Sequence, residues 1–377
     1  MAWSFSHEPT SLKGTRRQGV RAWFFIFLVS LNICNAKANE QWSSWEKFKQ
    51  YYISADGRVI DTQTPDKRTT SEGQSYALFF ALIVQDKVLF DKLLHWTESN
   101  LAAGDLGKHL PAWLWGKNKK NQWMVLDSNS AADADLWLAY DLLEAGRLWK
   151  QASYSILGKK LLQRILNEEV TKIPGLGLML LPGKVGFHFK NNWRLNPSYL
   201  PLQLLTRFAT INRKWRVLKR NSRRLLLETS PKGFAPDWVV WNNGKGWRSD
   251  QKYPNLGSYD AIRVYLWVGM LAKDAPQEEI VVTHFSPIIT LIQQLGFVPE
   301  KIDIRSGKTQ GKGSIGFVAA LLPLLSNNPP ELAIQRQRIY ADELSADNYY
   351  SSVLRLFGQG WDERRYRFNA QGELLLP

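Results

Sequence analysis

The chain has 377 residues, a formal net charge of +15, 44% hydrophobic and 22% charged residues, and a single cysteine, Cys34. That length and apolar content suffice for a large core that needs no staples. One cysteine excludes disulfides and cysteine-based zinc sites downstream of it.

The first residues set the compartment. Lys13, Arg16, Arg17 and Arg21 lead into the apolar run Ala22-Trp-Phe-Phe-Ile-Phe-Leu-Val-Ser-Leu31, and Ala36-Lys37-Ala38 follows with small residues where a signal peptidase reads them. This predicts a signal peptide over 1–38, cut near Ala38, and a periplasmic or secreted product. The run is shorter than the roughly 20 residues of a membrane span, so none is expected in the mature chain. Two lesser readings are a lipoprotein site at Cys34 and a twin-arginine signal at Arg16-Arg17. Loss of 1–38 removes five Lys/Arg and one Glu, so the charge falls from +15 to +11. The remaining basic residues, such as Lys159, Lys160, Arg213, Lys214, Arg216, Arg220 and Arg224, are spread as solvated helix faces. With export, that spread argues against nucleic acid as a partner and leaves attraction to an anionic envelope surface.

Apolar residues at i, i+3 and i+4 predict twelve helices, over 42–53, 72–87, 88–101, 130–147, 152–168, 197–211, 213–229, 258–273, 276–296, 314–326, 331–342 and 347–358. Two β-hairpins are predicted between them: 178–181 with 185–189, and 238–241 with 246–248 around Asn242-Asn-Gly-Lys-Gly246. No linker divides residues 39–377, which are read as one catalytic domain. Twelve helices can pair as six hairpins in a ring, an all-α (α/α)6 barrel whose inner helices share one N-terminal rim.

Three acids stand just after a serine at a predicted helix start: Glu72 after Ser71, Asp133 after Ser130, and Asp260 after Ser258. Each also fits plain capping: Ser71 with Gln74 as a capping box, Ser130 with Asp133 as a reciprocal cap, Asp260 complementing a dipole. The spacings, 61 and 127 residues, are close to one and two sixths of the mature chain. In a six-hairpin ring that spacing sets all three acids on one rim. Carboxylates facing one cleft are what glycoside hydrolysis requires: a protonated acid for the leaving oxygen and an ionised base for water. The 17 tryptophans agree, since some can serve as flat platforms for sugar rings while the rest fill the core. His95, His109, His188 and His284 show no metal-ligand spacing, and no Gly-x-Ser-x-Gly elbow is present, so neither a metal nor a cofactor is expected. Gly307-Lys-Thr-Gln-Gly-Lys-Gly-Ser314 lacks the order of a phosphate loop and any strand before it; it reads as a turn before a helix.

Ala131-Ala-Asp-Ala-Asp135, continuing through Leu-Trp-Leu-Ala-Tyr140 to Trp149, closely resembles the signature of glycoside hydrolase family 8, departing at Ala132, Leu138 and Asp141. Ala132 stands where a hydroxyl residue is usual. Thr70-Ser-Glu-Gly-Gln-Ser-Tyr76, Leu110-Pro-Ala-Trp-Leu-Trp-Gly-Lys117, Asn196-Pro-Ser-Tyr-Leu-Pro201, Ser258-Tyr-Asp-Ala-Ile-Arg-Val-Tyr265 and Phe357-Gly-Gln-Gly-Trp361 extend the likeness along the mature chain, toward the members that accompany bacterial cellulose synthesis. The resemblance implies an (α/α)6 barrel with an open cleft and endo-acting, inverting hydrolysis of β-1,4-glucan. It also implies a functional association with a cellulose synthase complex. It maps the proton donor onto Glu72, the general base onto Asp260, and the acid that binds the sugar at the cleavage site onto Asp133. With the aromatic content it nominates Trp113, Trp115 and Tyr199 for substrate, one of the two tryptophans being expected in the core. Trp193, Arg194, Trp238 and Trp241 are weaker nominees. Tyr259 and Arg263 are expected beside Asp260, holding its charge and orienting water. Glu72, at a positive helix end, needs burial and a neighbouring carboxylate, Asp133, to stay protonated. Inversion calls for an acid–base separation of about 6.5–9.5 Å. Two other readings remain: a catalytically silent glucan-binding or assembly protein, and the same mechanism on xylan, chitosan or mixed-linkage glucan.

Overall fold

Apolar periodicity of two kinds runs along the chain, and each kind makes one ring of helices. The computed structural model describes residues 42–275, 278–342, 346 and 348–377, and its contacts set Ser43–Pro377 apart as one unit. In chain order the helices of that unit are α1 (Ser43–Tyr52), α2 (Ser71–Ile83), α3 (Lys87–Leu101), α4 (Ala132–Leu148), α5 (Ala152–Glu168), α6 (Leu202–Ala209) and α7 (Arg213–Glu228). They continue as α8 (Ala261–Gly269), α9 (Glu278–Phe285), α10 (Pro287–Leu295), α11 (Ile315–Leu325), α12 (Pro329–Tyr340) and α13 (Tyr349–Asp362). Helices α2, α4, α8, α11 and α13 are buried over nearly their whole circumference, which places them inside. Helix α5 instead buries one stripe, Tyr154, Gly158, Leu161, Leu162, Ile165 and Leu166, and α7 buries Trp215, Leu218, Ser222 and Leu225. Those are outer helices. Each inner helix packs on an outer partner: α2 on α3, α4 on α5, α6 on α7, α8 on α9, α11 on α12, and α13 on α1, the first helix of the unit. Six such pairs form an (α/α)6 barrel.

The two ends of the barrel differ. Four of the turns from an inner helix to its outer partner take three residues each, at 84–86, 149–151, 210–212 and 326–328. Most return connections are longer and carry the β structure. β1 (Thr69–Thr70), β2 (Leu114–Lys117) and β3 (Trp123–Asp127) form one antiparallel sheet before α2 and α4. β4 (Val170–Ile173) pairs with β5 (Gly177–Leu180), and β6 (His188–Phe189), β7 (Asn192–Leu195), β8 (Val239–Asn242) and β9 (Gly246–Ser249) make a four-stranded sheet. β10 (Leu256–Gly257), β11 (Pro299–Asp303) and β12 (Thr309–Lys312) form another. All of these lie toward the N-termini of inner helices, on the rim where the three acids are expected. The opposite end is closed by β13 (Arg367–Phe368) with β14 (Leu374–Leu375): Tyr140 donates to the Gly372 carbonyl at 2.9 Å, and Glu144 accepts from the Leu374 amide at 2.9 Å.

The twelve predicted helices correspond to the observed ones with three changes. The segment 276–296 divides at Ser286 because Pro287 cannot continue a hydrogen-bonded turn and starts α10. The segment 197–211 opens as a short 3-10 turn, Pro197–Tyr199, before Pro201 leads into α6. Helix α8 is shorter than 258–273. The hairpin around Asn242–Gly246 forms in the expected place. The other does not: 177–180 pairs back onto 170–173, and 188–189 pairs forward onto 192–193. Gly307–Ser314 does precede a helix, yet its centre is strand β12, and a strand, β11, comes before it.

Between the two ends the barrel axis is filled by aromatic rings from four inner helices. Phe79 meets Trp137 at 4.8 Å, Tyr76 meets Phe357 edge-on at 4.9 Å, and Trp267 touches Phe357 at 5.1 Å and Trp137 at 5.3 Å. Neighbouring helices approach closely at glycines. A Cβ on Gly358 of α13 would overlap the Ala319 carbonyl of α11, and one on Gly269 of α8 would overlap the Leu324 amide. Gly358→Ala is therefore expected to lower unfolding free energy by about 2 kcal/mol or more, measured by chemical denaturation.

Candidate active site

The ordinary duty of an acid at a helix start is capping, and at α2 and α8 other residues perform it. Thr70 caps α2 by accepting from the Gly73 amide at 3.0 Å, while Gln74 turns away to the Val59 amide, so the expected Ser71–Gln74 box does not form. The Ser130 hydroxyl donates to Glu169 at 2.5 Å instead of capping α4, whose N-cap is Ala131. At α8 the Oδ1 atom of Asp237 accepts from the amides of Ser258, Asp260 and Ala261 at 2.7, 3.1 and 2.8 Å. Burial and the nearby charge of Asp260 push Asp237 up to about 6. Relieved of capping, Glu72 and Asp260 are free to face the cleft.

Arg263, one turn into α8, gathers all three acids. Its Nη1 meets Glu72 and lies 3.3 Å from Asp133, and its Nη2 lies 2.8 Å from Asp260 and 3.2 Å from the Ser198 hydroxyl. Nη1 also lies 3.4 Å from the Tyr76 hydroxyl. One rigid fork of donors thus fixes carboxylates from α2, α4 and the start of α8. The side chains of Glu72 and Asp260 keep 26% and 27% exposure, against 3% for Asp133. Two acids therefore reach the cleft and one is sunk beneath it. Burial raises Asp133 well above the usual carboxylate range, and the charge of Glu72, with which it shares a hydrogen bond, raises it further. Glu72 thus has beside it the carboxyl that its sequence position calls for.

Arg263 holds Asp260, as anticipated, but Tyr259 does not. The Tyr259 ring packs on Phe317 at 5.1 Å and stands half exposed on the rim, facing Glu300. The second partner of Asp260 is the indole of Trp238, whose Nε1 donates to Oδ2 at 3.0 Å. Trp238 lies beside Tyr199, parallel to Phe187, and under the Arg194 guanidinium at 3.7 Å. Tyr199 in turn lies 5.6 Å from the Arg263 guanidinium. Trp113 and Trp115 are both half-buried, so neither belongs to the core; a bulge at Leu114/Trp115 interrupts the strand there. Trp115 stacks on Trp123 at 5.0 Å with Arg58 over both rings. Of the weaker nominees, Trp193 and Trp241 are buried. Asp237 is not legible in the sequence, and neither is the role of Ser198, though it lies within Asn196-Pro-Ser-Tyr199, because each serves by reaching an element distant in sequence.

A helical ring that gathers carboxylates at one aromatic-walled mouth defines a class, the barrel hydrolases that act on polysaccharides. The sequence profile of glycosyl hydrolases family 8 matches residues 19–364. An endoglucanase from Escherichia coli O157:H7 is 53% identical over 350 residues, covering 93% of this chain and 95% of its own, and one from Xanthomonas axonopodis pv. citri is 49% identical over 341 residues, covering 89% and 88%. The crystal structure of an endo-1,4-D-glucanase from Vibrio fischeri ES114 superposes with a TM-score of 0.86 at 50% identity, covering 89% of this chain and 99% of that one. The family 8 endoglucanase Cel10 from Klebsiella pneumoniae, 24% identical with a TM-score of 0.69, covers 85% and 99% and shares the fold. The chain belongs to glycosyl hydrolases family 8.

Arg263→Lys keeps a cation but loses the fork that holds Glu72 and Asp260 at once. It is expected to lower kcat/KM on a soluble glucan by about 100-fold, most of it in kcat, with the fold retained by circular dichroism.

Proposed function

We propose that this chain is an endo-acting β-1,4-glucanase that inverts the anomeric carbon, with Glu72 as proton donor, Asp260 as general base and Asp133 binding the sugar at the cleavage site. The observation that carries the reading is the single guanidinium of Arg263, which holds two partly exposed carboxyls, Glu72 and Asp260, on different arms while a third, Asp133, lies buried beside Glu72. The relatives carry the names endoglucanase and endo-1,4-D-glucanase, which supports β-1,4-glucan as substrate. In the reaction, the proton shared by Glu72 and Asp133 passes through Glu72 to the glycosidic oxygen. Water attacks the anomeric carbon from the opposite face, the C–O bond breaks, and the water's proton goes to Asp260. Arg263 and the Trp238 N–H keep the Asp260 carboxylate oriented toward that water. Trp113, Trp115, Tyr199 and Tyr259 are the aromatic faces offered to the glucan chain. The charged signal-like segment at 1–38 lies outside the described residues. It supports export to the periplasm or beyond, with residues 39–377 as the working domain, and among the described residues no helix is long and apolar enough to cross a membrane. A working association with cellulose synthesis belongs to the same reading and rests on sequence resemblance.

Glu72→Gln is expected to cut release of reducing ends from carboxymethyl-cellulose by about 1,000-fold or more, while cello-oligosaccharide affinity and thermal stability stay close to native. Asp260→Asn is expected to behave alike. Undiminished release in either variant refutes the assignment, and so does a native chain that binds glucan without ever cutting it. The stereochemistry is read separately: proton NMR during the first minutes of hydrolysis should show the α-anomer accumulating before mutarotation, whereas initial β-anomer denotes retention. A panel of xylan, chitosan and mixed-linkage glucan, scored against carboxymethyl-cellulose, tests the substrate.

A further inference from the structure

Two residues past Asp133, the mechanism leaves a second pair of acids unused. Asp135 on α4 and Glu169 at the end of α5 are both fully buried, and their carboxyls lie within hydrogen-bonding reach of one another. Both Asp135 oxygens and Oε2 of Glu169 find no donor among the described residues. The other Glu169 oxygen accepts from the Ser130 hydroxyl at 2.5 Å. Two buried carboxylates facing each other without donors would repel strongly, and one proton between them turns that repulsion into a short, charge-assisted bond. We propose that Asp135 and Glu169 share a single proton, Asp135 as the acid and Glu169 as the carboxylate, and that this couple positions Asp133 and the aromatic wall of the cleft.

The assignment of roles rests on Ser130, whose donated hydrogen bond favours the charge on Glu169. The couple reaches the reacting centre by two routes. Asp135 fixes the first turn of α4, which carries Asp133. Ser130 also accepts from the Lys184 amide at 3.1 Å, and its carbonyl presses so closely on Gly183 that a Cβ there would overlap it. That contact seats the loop 181–187, whose Phe187 lies parallel to Trp238, the donor to Asp260. The other charged groups facing the couple are Asp133 on α4, Glu168 on α5, itself paired with Arg164, and Lys184 on the loop. Burial raises both members above the usual carboxylate range, and the neighbouring Glu169 charge raises Asp135 further.

A carboxyl with raised proton affinity in the folded chain stabilises it fully below its unfolded value of roughly 4 and loses that contribution as pH climbs through the folded value. Carboxyl carbon-13 NMR of the native chain reads the couple without any substitution: at pH 7 one of the two carboxyls is expected to show the shift of a protonated acid. Two ionised carboxylates there overturn the proposal. Asp135→Asn replaces the acid O–H by an N–H and fixes the charge at one. It is expected to flatten, by several degrees, the native fall in Tm between about pH 6 and 9. KM for cello-oligosaccharides, expected to rise about fivefold over that range in the native chain, should stay level in the variant, while the pH dependence of kcat stays put. Parallel Tm and KM profiles overturn the proposal too; if Asp135→Asn does not fold, the native NMR reading decides alone. The kinetic arm rests on the glucanase reading, but the NMR and Tm arms do not. Absence of hydrolysis therefore defeats that reading and leaves the couple standing or falling on its own proton.

Discussion

The guanidinium of Arg263 is the contact on which the site depends. Three carboxyls brought to one partly buried mouth repel one another, and each loses hydration on the way. A single cation with donors on both arms of a planar fork compensates them and sets their directions, while Ser198 and Tyr76 crowd the same guanidinium. For this to happen, α2, α4 and α8 must start at the same end of the barrel, which the six-pair ring ensures.

The ring also divides its two ends by purpose. Three-residue turns at one end leave little room for anything but closure, and the C-terminal hairpin seals it through Tyr140 and Glu144. The other end has long connections with small sheets, and beside one of them Trp238 meets Asp260 with Phe187 parallel to its ring. The aromatic plug of Tyr76, Phe79, Trp137, Trp267 and Phe357 lies between the ends and makes the barrel a closed-bottomed cup. Burial beside that plug is the main reason Asp133 stands well above the usual carboxylate range.

Most helices were legible because their apolar period repeats over two turns or more. Strands of two to five residues carry too few positions to show a period, so the pairing of 177–180 with 170–173 rather than with 185–189 could not be read. The acids were legible through their place at helix starts and their spacing around six repeats. Their restraints were not: Asp237 and Trp238 belong to the α7–α8 connection, and nothing in their local sequence reports that they meet Asp260. Tyr259, adjacent in sequence, is the natural first candidate and points elsewhere because it precedes the first helical turn and packs on Phe317.

Periodicity, turn residues and the position of acids at helix starts, all local properties of the chain, pointed to a dozen helices able to close into a ring, and the motifs shared with a known family joined them to a barrel with Glu72, Asp133 and Asp260 on one rim. Tertiary structure alone decided which groups hold those acids, which acid is buried, and which tryptophans are sunk in the core. Those outcomes depend on burial and on contacts between residues from 22 positions apart, as from Trp238 to Asp260, to 191 positions apart, as from Glu72 to Arg263, and electrostatics in a closed mouth is set by such through-space neighbours more than by sequence neighbours.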